Sequence, residues 1–173
     1  LVWGAVFAVG VAACLWYPMQ ALPDKADYAA EPRWDGRSWM AEREADRFAA
    51  VNFFDALPGQ VVILEKPGGA YNPSESAFGG FTGHSNVLGW KNHEGQWRGD
   101  YDEVGRRDPI IQTIYQTTNP DEARRLIDEL NIDYVAVTPQ EIAAYSLTAD
   151  QIEKFQSFMT PVFQQGSIII FGR

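Results

Sequence analysis

The chain has 173 residues, a formal net charge of −9 and 46% hydrophobic residues, which leaves room for about one ordinary domain beyond an apolar first stretch. An isoelectric point near 4.6 and scattered Lys and Arg argue against binding to nucleic acid or to anionic lipid headgroups, because both need clustered positive charge. Cys14, the single cysteine, lies inside the apolar stretch, so no disulfide and no thiol chemistry is expected in the rest of the chain.

The first element is predicted to be a transmembrane helix over residues 1–22. Residues 1–17 are all apolar or small, and no charge appears before Asp24; about 20 helical residues span a bilayer core. The Trp-Tyr-Pro sequence at 16–18 is typical of an interfacial helix end rather than of a signal-peptide cleavage site. A signal or anchor remnant and a buried core helix are the alternatives. Because the run starts abruptly at Leu1 without Met or a basic region, we expect a chain cut within a longer membrane protein.

A linker is predicted over residues 23–37, followed by a soluble domain over residues 38–173. The linker has more acidic than basic residues. Cytoplasmic flanks of membrane helices usually carry excess Lys and Arg. The acidic flank therefore predicts that the soluble domain lies on the extracytoplasmic side.

The first half of the soluble domain is predicted to hold one helix, one strand and a long loop. An amphipathic helix over 42–57, after Ser38, would bury Phe48, Val51 and Phe54 and turn Asp46 and Arg47 to water. The apolar run within 60–66 has no polar alternation, as in a strand covered on both faces. Residues 67–106 are rich in glycine and lack periodicity, which predicts a functional loop with at most a short strand over 86–90.

The second half alternates helices and strands. A short helix follows Asp108-Pro109, and Asn119-Pro120 begins another that runs to Leu130. A buried strand is predicted over 133–138, helical turns over 139–145, a helix from Thr148 to Phe158, and a hairpin of strands at 161–165 and 167–171. The pattern predicts an α/β fold: a small three-layer domain with a mostly parallel sheet and a C-terminal hairpin.

The most distinctive chemistry lies in the sequence NVLGWKNHEGQWRG over residues 86–99. Two tryptophans could form apolar walls, and neighbouring polar groups could bind a sugar or a polar chain segment. The predicted binding residues here are Trp90, His93, Glu94, Gln96, Trp97 and Arg98. Glu65 and Tyr71 join them because they follow a buried strand, where α/β folds place ligand sites. The alternative is a structural network in which tryptophans pack and Arg98 pairs with Glu94 or Glu65.

The sequence predicts no metal site, no cofactor and no catalytic residue. His84, His93 and Glu94 lack the spacing of a zinc or calcium site. No hydrolase elbow is present either, so an independent hydrolase or metal enzyme is the least supported hypothesis.

A set of motifs resembles one known family. The segments LEKPGG-x-Y from Leu64, VLGW from Val87, HEGQWRG from His93 and IxxIY from Ile111 are similar to the C-terminal soluble region of the YYY-type multi-spanning membrane proteins, which are grouped with the GT-C glycosyltransferases. Two stretches depart from the family pattern: NPSESAFGG replaces a GRxS element, and His84 follows Thr-Gly where the family has proline. These departures make an altered or lost ligand site plausible.

This resemblance implies a membrane setting and a division of labour. Proteins of that superfamily usually move a sugar from a polyprenyl phosphate carrier to an acceptor outside the cytoplasm, and their metal-binding acids lie between earlier membrane helices. The chain is therefore expected to be the soluble domain of a GT-C-like integral membrane protein that binds the acceptor or the polyprenyl-linked sugar. Its expected partners are the lipid bilayer and other transmembrane helices or subunits. The alternative is a single-span accessory or structural subunit of a larger membrane complex.

Overall fold

The computed structural model describes residues 2–25 and 34–173, which belong to two units, Leu1–Gly36 and Arg37–Arg173. In the first unit, helix α1 covers Val2–Lys25. Its segment Val2–Leu22 has a mean hydropathy of 1.6 and no buried residues. At about 1.5 Å per residue it is long enough to cross a bilayer. A signal sequence near an N-terminus has the same properties. Most of the predicted linker lies outside the described residues.

The second unit contains helices on both faces of a five-stranded sheet. The sheet order is β2-β1-β3-β5-β4, with parallel pairing in β2-β1-β3 and antiparallel pairing in β3-β5-β4. The strands are β1 (Val62–Leu64), β2 (Ser85–Asn86), β3 (Tyr134–Val137), β4 (Thr160–Gln165) and β5 (Ile168–Gly172). The helices are α2 (Ser38–Arg43), α3 (Ala45–Asp55), α4 (Ala77–Thr82), α5 (Lys91–Arg98), α6 (Asp102–Gln116), α7 (Pro120–Glu129), α8 (Pro139–Tyr145) and α9 (Ala149–Glu153), the last continued by a 3-10 turn over Lys154–Ser157.

Strand alternation divides the core into two clusters. Leu64 and Val135 pack with residues of α6, α7 and α8 on one face. Ile63 and Ala136 pack with residues of α2, α3 and α4 on the other. Successive strand residues point to opposite faces of the sheet. An uninterrupted apolar strand therefore supplies side chains to the cluster on each face. The three-layer α/β class and the C-terminal hairpin are confirmed. Of the four strand pairings, the two made by β1 are parallel and the two made by β5 are antiparallel.

Two helix starts, the first of them predicted from its cap, are fixed by local hydrogen bonds. Asn119 caps α7, its side-chain oxygen accepting hydrogen bonds from the backbone N–H groups of Asp121 and Glu122. Thr138 and Glu141 form a capping box at the start of α8. These caps satisfy backbone donors that a helix start leaves free.

The predicted helix over 42–57 is wrong in one respect, because it is two helices. The chain breaks at Glu44, with φ −138° and ψ 54°. Arg47, predicted to face water, is buried, and its Nε donates to Glu44 Oε2 at 2.6 Å. The guanidinium also lies over the Phe78 ring. A long side chain can bury its stem when its charged head keeps a partner.

The predicted loop over 67–106 is also wrong, since nearly half of it is helical. It contains α4, β2, α5 and the first turn of α6, a helix that continues through Pro109. The predicted strand over 86–90 is reduced to Ser85–Asn86, followed by two residues whose side chains enter the core, Val87 and Leu88. Glycine lowers helix propensity by about 1 kcal/mol, and tertiary packing overrides that local preference here.

Candidate functional site

A cleft of about 620 Å³ lies where β1 and β2 end, between α4 and α5. The carboxyl ends of parallel strands are where open α/β sheets bind ligands. The wall on the α4 side is lined by Pro73, Ala77, Gly80 and Phe81, and the wall on the α5 side by Trp90, His93, Glu94, Trp97 and Arg98. Glu75, Ser76 and Asn86 complete the lining.

Glu65 holds the α4 wall in place. This residue directly follows β1 and is 3% exposed. Its carboxylate accepts hydrogen bonds from the backbone N–H groups of Phe78, at 3.3 Å, and Gly79, at 3.1 Å, in the first turn of α4. Burial away from water raises the pKa of Glu65 to about 7, against the lowering effect of these donors. Glu65 therefore positions the cleft wall from beneath and does not line it.

The α5 wall is joined to the chain that follows β1 by a short backbone bridge. The Gly68 N–H donates to Gly89 O at 3.1 Å, and the Lys91 N–H donates to Gly68 O at 2.9 Å. Trp90 packs against this bridge, and its Nε1 donates to the backbone oxygen of Glu75 at 2.9 Å. A Cβ on Gly68 would lie 2.4 Å from Trp90 Cδ1. Glycine is thus required for Trp90 to occupy this wall.

Glu94 braces the start of α5. One carboxylate oxygen accepts from the Gly89 N–H at 2.6 Å, and the other accepts from Arg98 Nη2 at 3.3 Å. The Arg98 side chain is about half exposed, so its guanidinium keeps donors available at the cleft mouth. Of the two alternative pairings predicted for Arg98, the structure has the one with Glu94.

Three aromatic side chains form the aromatic rim of the cleft, defined here as Tyr71, His93 and Trp97. The Tyr71 ring meets the His93 ring edge-on, with 4.8 Å between the ring centroids. The Trp97 ring lies nearly parallel to the His93 ring, with 6.2 Å between the centroids. Tyr71 is 82% exposed and Trp97 is 85% exposed. Trp90 contacts His93 from the cleft side at 5.2 Å.

The predicted residues thus separate by role. Trp90, His93, Glu94, Trp97 and Arg98 line the cleft. Tyr71 lies on the rim and Glu65 lies below the floor. Gln96 is exposed on α5 and does not line the cleft. The alternative interpretation was a structural network. It agrees with the hydrogen bond that holds the Trp90 ring and with the Glu94–Arg98 salt bridge. The same residues therefore line the cleft and stabilise it.

Sequence reasoning missed the α4 wall and the floor. Ala77 and Phe81 are four residues apart, and apolar residues at this spacing indicate a helix. Gly79 and Gly80 lie between them and argued against a helix, because glycine has a low helix propensity. Asn86 ends β2, and its Oδ1 is buried without a hydrogen-bond partner. Among the buried side-chain nitrogen and oxygen atoms of the described residues, only Asn86 Oδ1 and His84 Nδ1 lack a hydrogen-bond partner. A buried orphan acceptor costs about 1–3 kcal/mol.

The cleft walls are mainly apolar and aromatic, with a few polar side chains among them. Within residues 2–25 and 34–173, no three His, Cys, Asp or Glu side chains come together as a metal site. His84 is occupied instead with the backbone oxygen of Phe54, at 2.8 Å from its Nε2.

No family model matches this chain, and no curated protein matches it, so membership in the family that its motifs resemble stays a prediction. Among solved structures, the chain is similar to the C-terminal globular domain of an oligosaccharyltransferase from Archaeoglobus fulgidus, with a TM-score of 0.45 and 10% sequence identity. The alignment covers 73% of this chain and 96% of that domain.

Proposed function

We propose that this chain is the extracytoplasmic soluble domain of a GT-C-like integral membrane protein, and that the cleft between α4 and α5 binds the acceptor or the polyprenyl-linked sugar of a glycosyl transfer. The observation that carries the proposal is the cleft itself, which lies at the carboxyl ends of β1 and β2 and is walled by Trp90 and Trp97. The membrane setting rests on the candidate span Val2–Leu22 and on the motif resemblance.

The size and lining of the cleft fit such a ligand. Small-molecule sites usually enclose about 300–1,000 Å³, with apolar walls and a few polar groups that fix orientation; this cleft encloses about 620 Å³. Indole faces can lie against a sugar ring or an isoprenoid chain. Arg98 offers a planar fork of donors for a phosphate or carboxylate.

The proposed role is binding rather than bond breaking. Of the two carboxylates in the lining, Glu94 is held by Gly89 and Arg98, and Glu75 is held by Lys66 at 2.9 Å and by the Gly69 N–H. The salt bridge to Lys66 lowers the pKa of Glu75, which therefore stays ionised and is a poor general acid at neutral pH. Any transferase chemistry would use acids outside this chain, as the resemblance implies.

A second function is favoured by the exposure of one side of α5. Gln96, Trp97 and Arg98 are all exposed, and aromatic and Arg side chains are enriched at protein interfaces. In this alternative the chain is a single-span accessory subunit, and α5 contacts a larger membrane complex. It predicts co-purification with other membrane proteins.

Indole NMR of the full chain in lipid nanodiscs tests ligand binding. The probes are a short polyprenyl phosphate, the same carrier linked to a hexose, and the free hexose. We expect the carrier-linked hexose to shift the Trp90 and Trp97 indole resonances. The Trp39 resonance should not move, because that residue packs against the core cluster that contains Ile63 and Ala136 and does not line the cleft.

Two glycine variants provide a matched control. Gly80 lines the cleft, and a Cβ added at either Gly80 or Gly105, both helical glycines, would meet nothing within 4 Å. Gly80→Leu should fill the cleft and abolish the shifts, whereas Gly105→Leu on α6 should leave them unchanged. Shifts that survive Gly80→Leu would contradict binding in this cleft. No response to any probe, combined with co-purification of other membrane proteins, would favour the accessory subunit.

A second pair of variants separates binding from folding. Trp97→Ala and Arg98→Ala remove exposed side chains and should weaken the response to the carrier-linked hexose without changing thermal unfolding. Global destabilisation by either variant would instead support a purely structural role for this helix.

A further inference from the structure

Two neighbouring polar side chains on the floor of the cleft carry hydrogen-bonding groups that the protein itself leaves unused. Ser76 and Asn86 both line the cleft, and Asn86 Nδ2 donates to Ser76 O at 3.4 Å. Ser76 Oγ accepts from the Gly68 N–H at 3.1 Å, and its own proton meets no acceptor among the described residues. Asn86 Oδ1 is buried and meets no donor there. The floor therefore holds one unused donor and one unused acceptor.

Ser76 keeps its hydroxyl on the floor at two costs to the fold. Its φ is +54°, in the left-handed region where glycine is favoured over residues with a side chain. It is also 7% exposed, and a buried donor without a partner destabilises the folded state. A ligand atom that accepts the proton would remove the second cost.

The Asn86 amide has its nitrogen engaged by the protein and its oxygen left over. Besides the bond from Nδ2 to Ser76 O, the amide donates toward the Glu65 carboxylate and thereby lowers the pKa of that group. Exchanging the two ends of the amide would turn its oxygen toward these acceptors, so the orientation is well defined. Contact with a ligand requires a rotation about the Cβ–Cγ bond that brings the oxygen to the cleft side. The 3.4 Å bond that this rotation lengthens is already long.

The carboxylates of the lining are already neutralised. Glu75 forms a salt bridge with Lys66 at 2.9 Å, and Glu94 forms one with Arg98 at 3.3 Å. An ionic group placed on the floor would lose its hydration without gaining an unpaired counter-charge from these residues. The floor therefore favours a neutral ligand group.

A sugar hydroxyl has the chemistry that the floor lacks. A hydroxyl oxygen donates one hydrogen bond and accepts others, so it can pair with a donor and an acceptor. Phe81 and Trp90 line opposite walls of the same cleft, and aromatic faces can cover the C–H faces of a saturated ring. A prenyl chain would leave both polar groups unpaired, and a phosphate would bring a charge that the floor does not balance.

We propose that Ser76 and Asn86 form a hydroxyl-binding subsite on the cleft floor, where Ser76 Oγ donates to, and Asn86 Oδ1 accepts from, the hydroxyl groups of a neutral hexose unit. The inference rests on the proposed function for the larger ligand to which the hexose belongs. It deepens that function by placing the sugar on the floor and the rest of the ligand toward the mouth.

Side-chain amide NMR of the full chain in lipid nanodiscs tests the subsite. The probes are the methyl glycosides of glucose, galactose, mannose and N-acetylglucosamine, with tetrahydropyran as a ring that has no hydroxyl group. We expect at least one glycoside to shift the Asn86 amide resonances. Tetrahydropyran should leave them in place. The Gln96 amide, which is exposed on α5 and does not line the cleft, should not respond to any probe.

Two variants remove the hydrogen-bonding groups separately. Ser76→Ala deletes the donor, and the Gly68 N–H keeps a second acceptor, Gly89 O at 3.1 Å, so the fold should persist. Asn86→Leu replaces the amide by an apolar group of similar shape. Each variant should weaken glycoside binding about tenfold, the effect of one lost hydrogen bond.

Binding to the variants is followed through the Trp90 indole, which lines the cleft and is present in all of them. Gln96→Leu makes the same amide-to-aliphatic change outside the cleft and should leave glycoside affinity at the wild-type value. Any affinity for tetrahydropyran should be the same in every variant, because that ring contacts only the walls.

The proposal is overturned if none of the glycosides moves the Asn86 amide, or if Ser76→Ala and Asn86→Leu both bind glycosides as tightly as wild type. A water molecule held permanently between the two groups would give the first result. Failure of the proposed function looks different. Glycosides would then shift the Asn86 amide, whereas the carrier-linked hexose would leave the Trp90 and Trp97 indoles unmoved. A carrier-linked hexose that binds wild type and both variants equally would keep the proposed function and overturn the subsite.

Discussion

Replacing Glu65 by Gln should change how the stability of the domain depends on pH. Glu65 is 3% exposed, and burial raises its pKa from 4.5 to about 7. Between these values the folded protein keeps a proton that the unfolded chain has released. Because the folded state then binds more protons, its free energy of unfolding falls as pH rises from 4.5 to 7.

The size of the effect follows from the pKa shift. One pKa unit corresponds to about 1.4 kcal/mol, so the shift to about 7 lowers the free energy of unfolding by about 3 kcal/mol across this range. The amide in Glu65→Gln would not titrate. Its side chain has one oxygen for the two N–H donors of Phe78 and Gly79, and a lost acceptor costs about 1–3 kcal/mol at acidic pH.

Urea unfolding of the full chain in a non-ionic detergent, followed by near-UV circular dichroism at pH 5, 6, 7 and 8, measures this difference. Burial also raises the pKa of Glu141, so in wild type and in Glu65→Gln alike this residue makes the free energy of unfolding fall as pH rises. The difference between the two proteins therefore reports on Glu65 alone. Between pH 5 and pH 8, wild-type stability should fall relative to the variant by about 2.5 kcal/mol, because part of the full change occurs below pH 5. Glu129→Gln, at an exposed position on α7, should leave the wild-type slope unchanged. Parallel curves for wild type and Glu65→Gln would refute the reasoning.

Four further substitutions, one of them a control, have expected outcomes in the same unfolding assay. Gly68→Ala places a methyl group 2.4 Å from Trp90 Cδ1 and should destabilise the domain by about 1–3 kcal/mol, whereas Gly69→Ala meets nothing within 4 Å and should be tolerated. Tyr115→Phe removes a buried hydroxyl that lies 2.8 and 3.2 Å from backbone oxygens of β3 and β1 and should cost about 1 kcal/mol. Asn119→Ala removes the α7 cap and should cost about 1 kcal/mol. If any of these three destabilising variants were as stable as wild type, the contribution inferred for the altered residue would be wrong.

The elements that could be predicted from sequence are those whose signals are local. The start of α7 lies in four consecutive residues from Asn119, and β3 is an uninterrupted apolar run. Helix α4 could not be predicted in the same way. It contains two glycines, the residue before it, Ser76, has φ +54°, and the acceptor for its first N–H groups is Glu65, which is distant in sequence.

The candidate site was predictable by residue type but not by shape. The concentration of Trp, His, Glu and Arg over residues 90–98 marked one wall of the cleft. The opposite wall consists mainly of Ala, Gly and Phe, which carry no chemical signature in a sequence. Its identity depends on the parallel pairing of β1 with β2, which brings the two segments together.

Both walls of the cleft are held by the same short stretch of chain after β1. Glu65 fixes the first turn of α4, and Gly68 fixes the bridge at the start of α5. The width of the cleft is therefore set in residues 65–68, outside the surfaces that would touch a ligand. Substitutions in the walls would change the contacts with a ligand, whereas substitutions in residues 65–68 would change the width of the cleft. The two properties can therefore evolve separately.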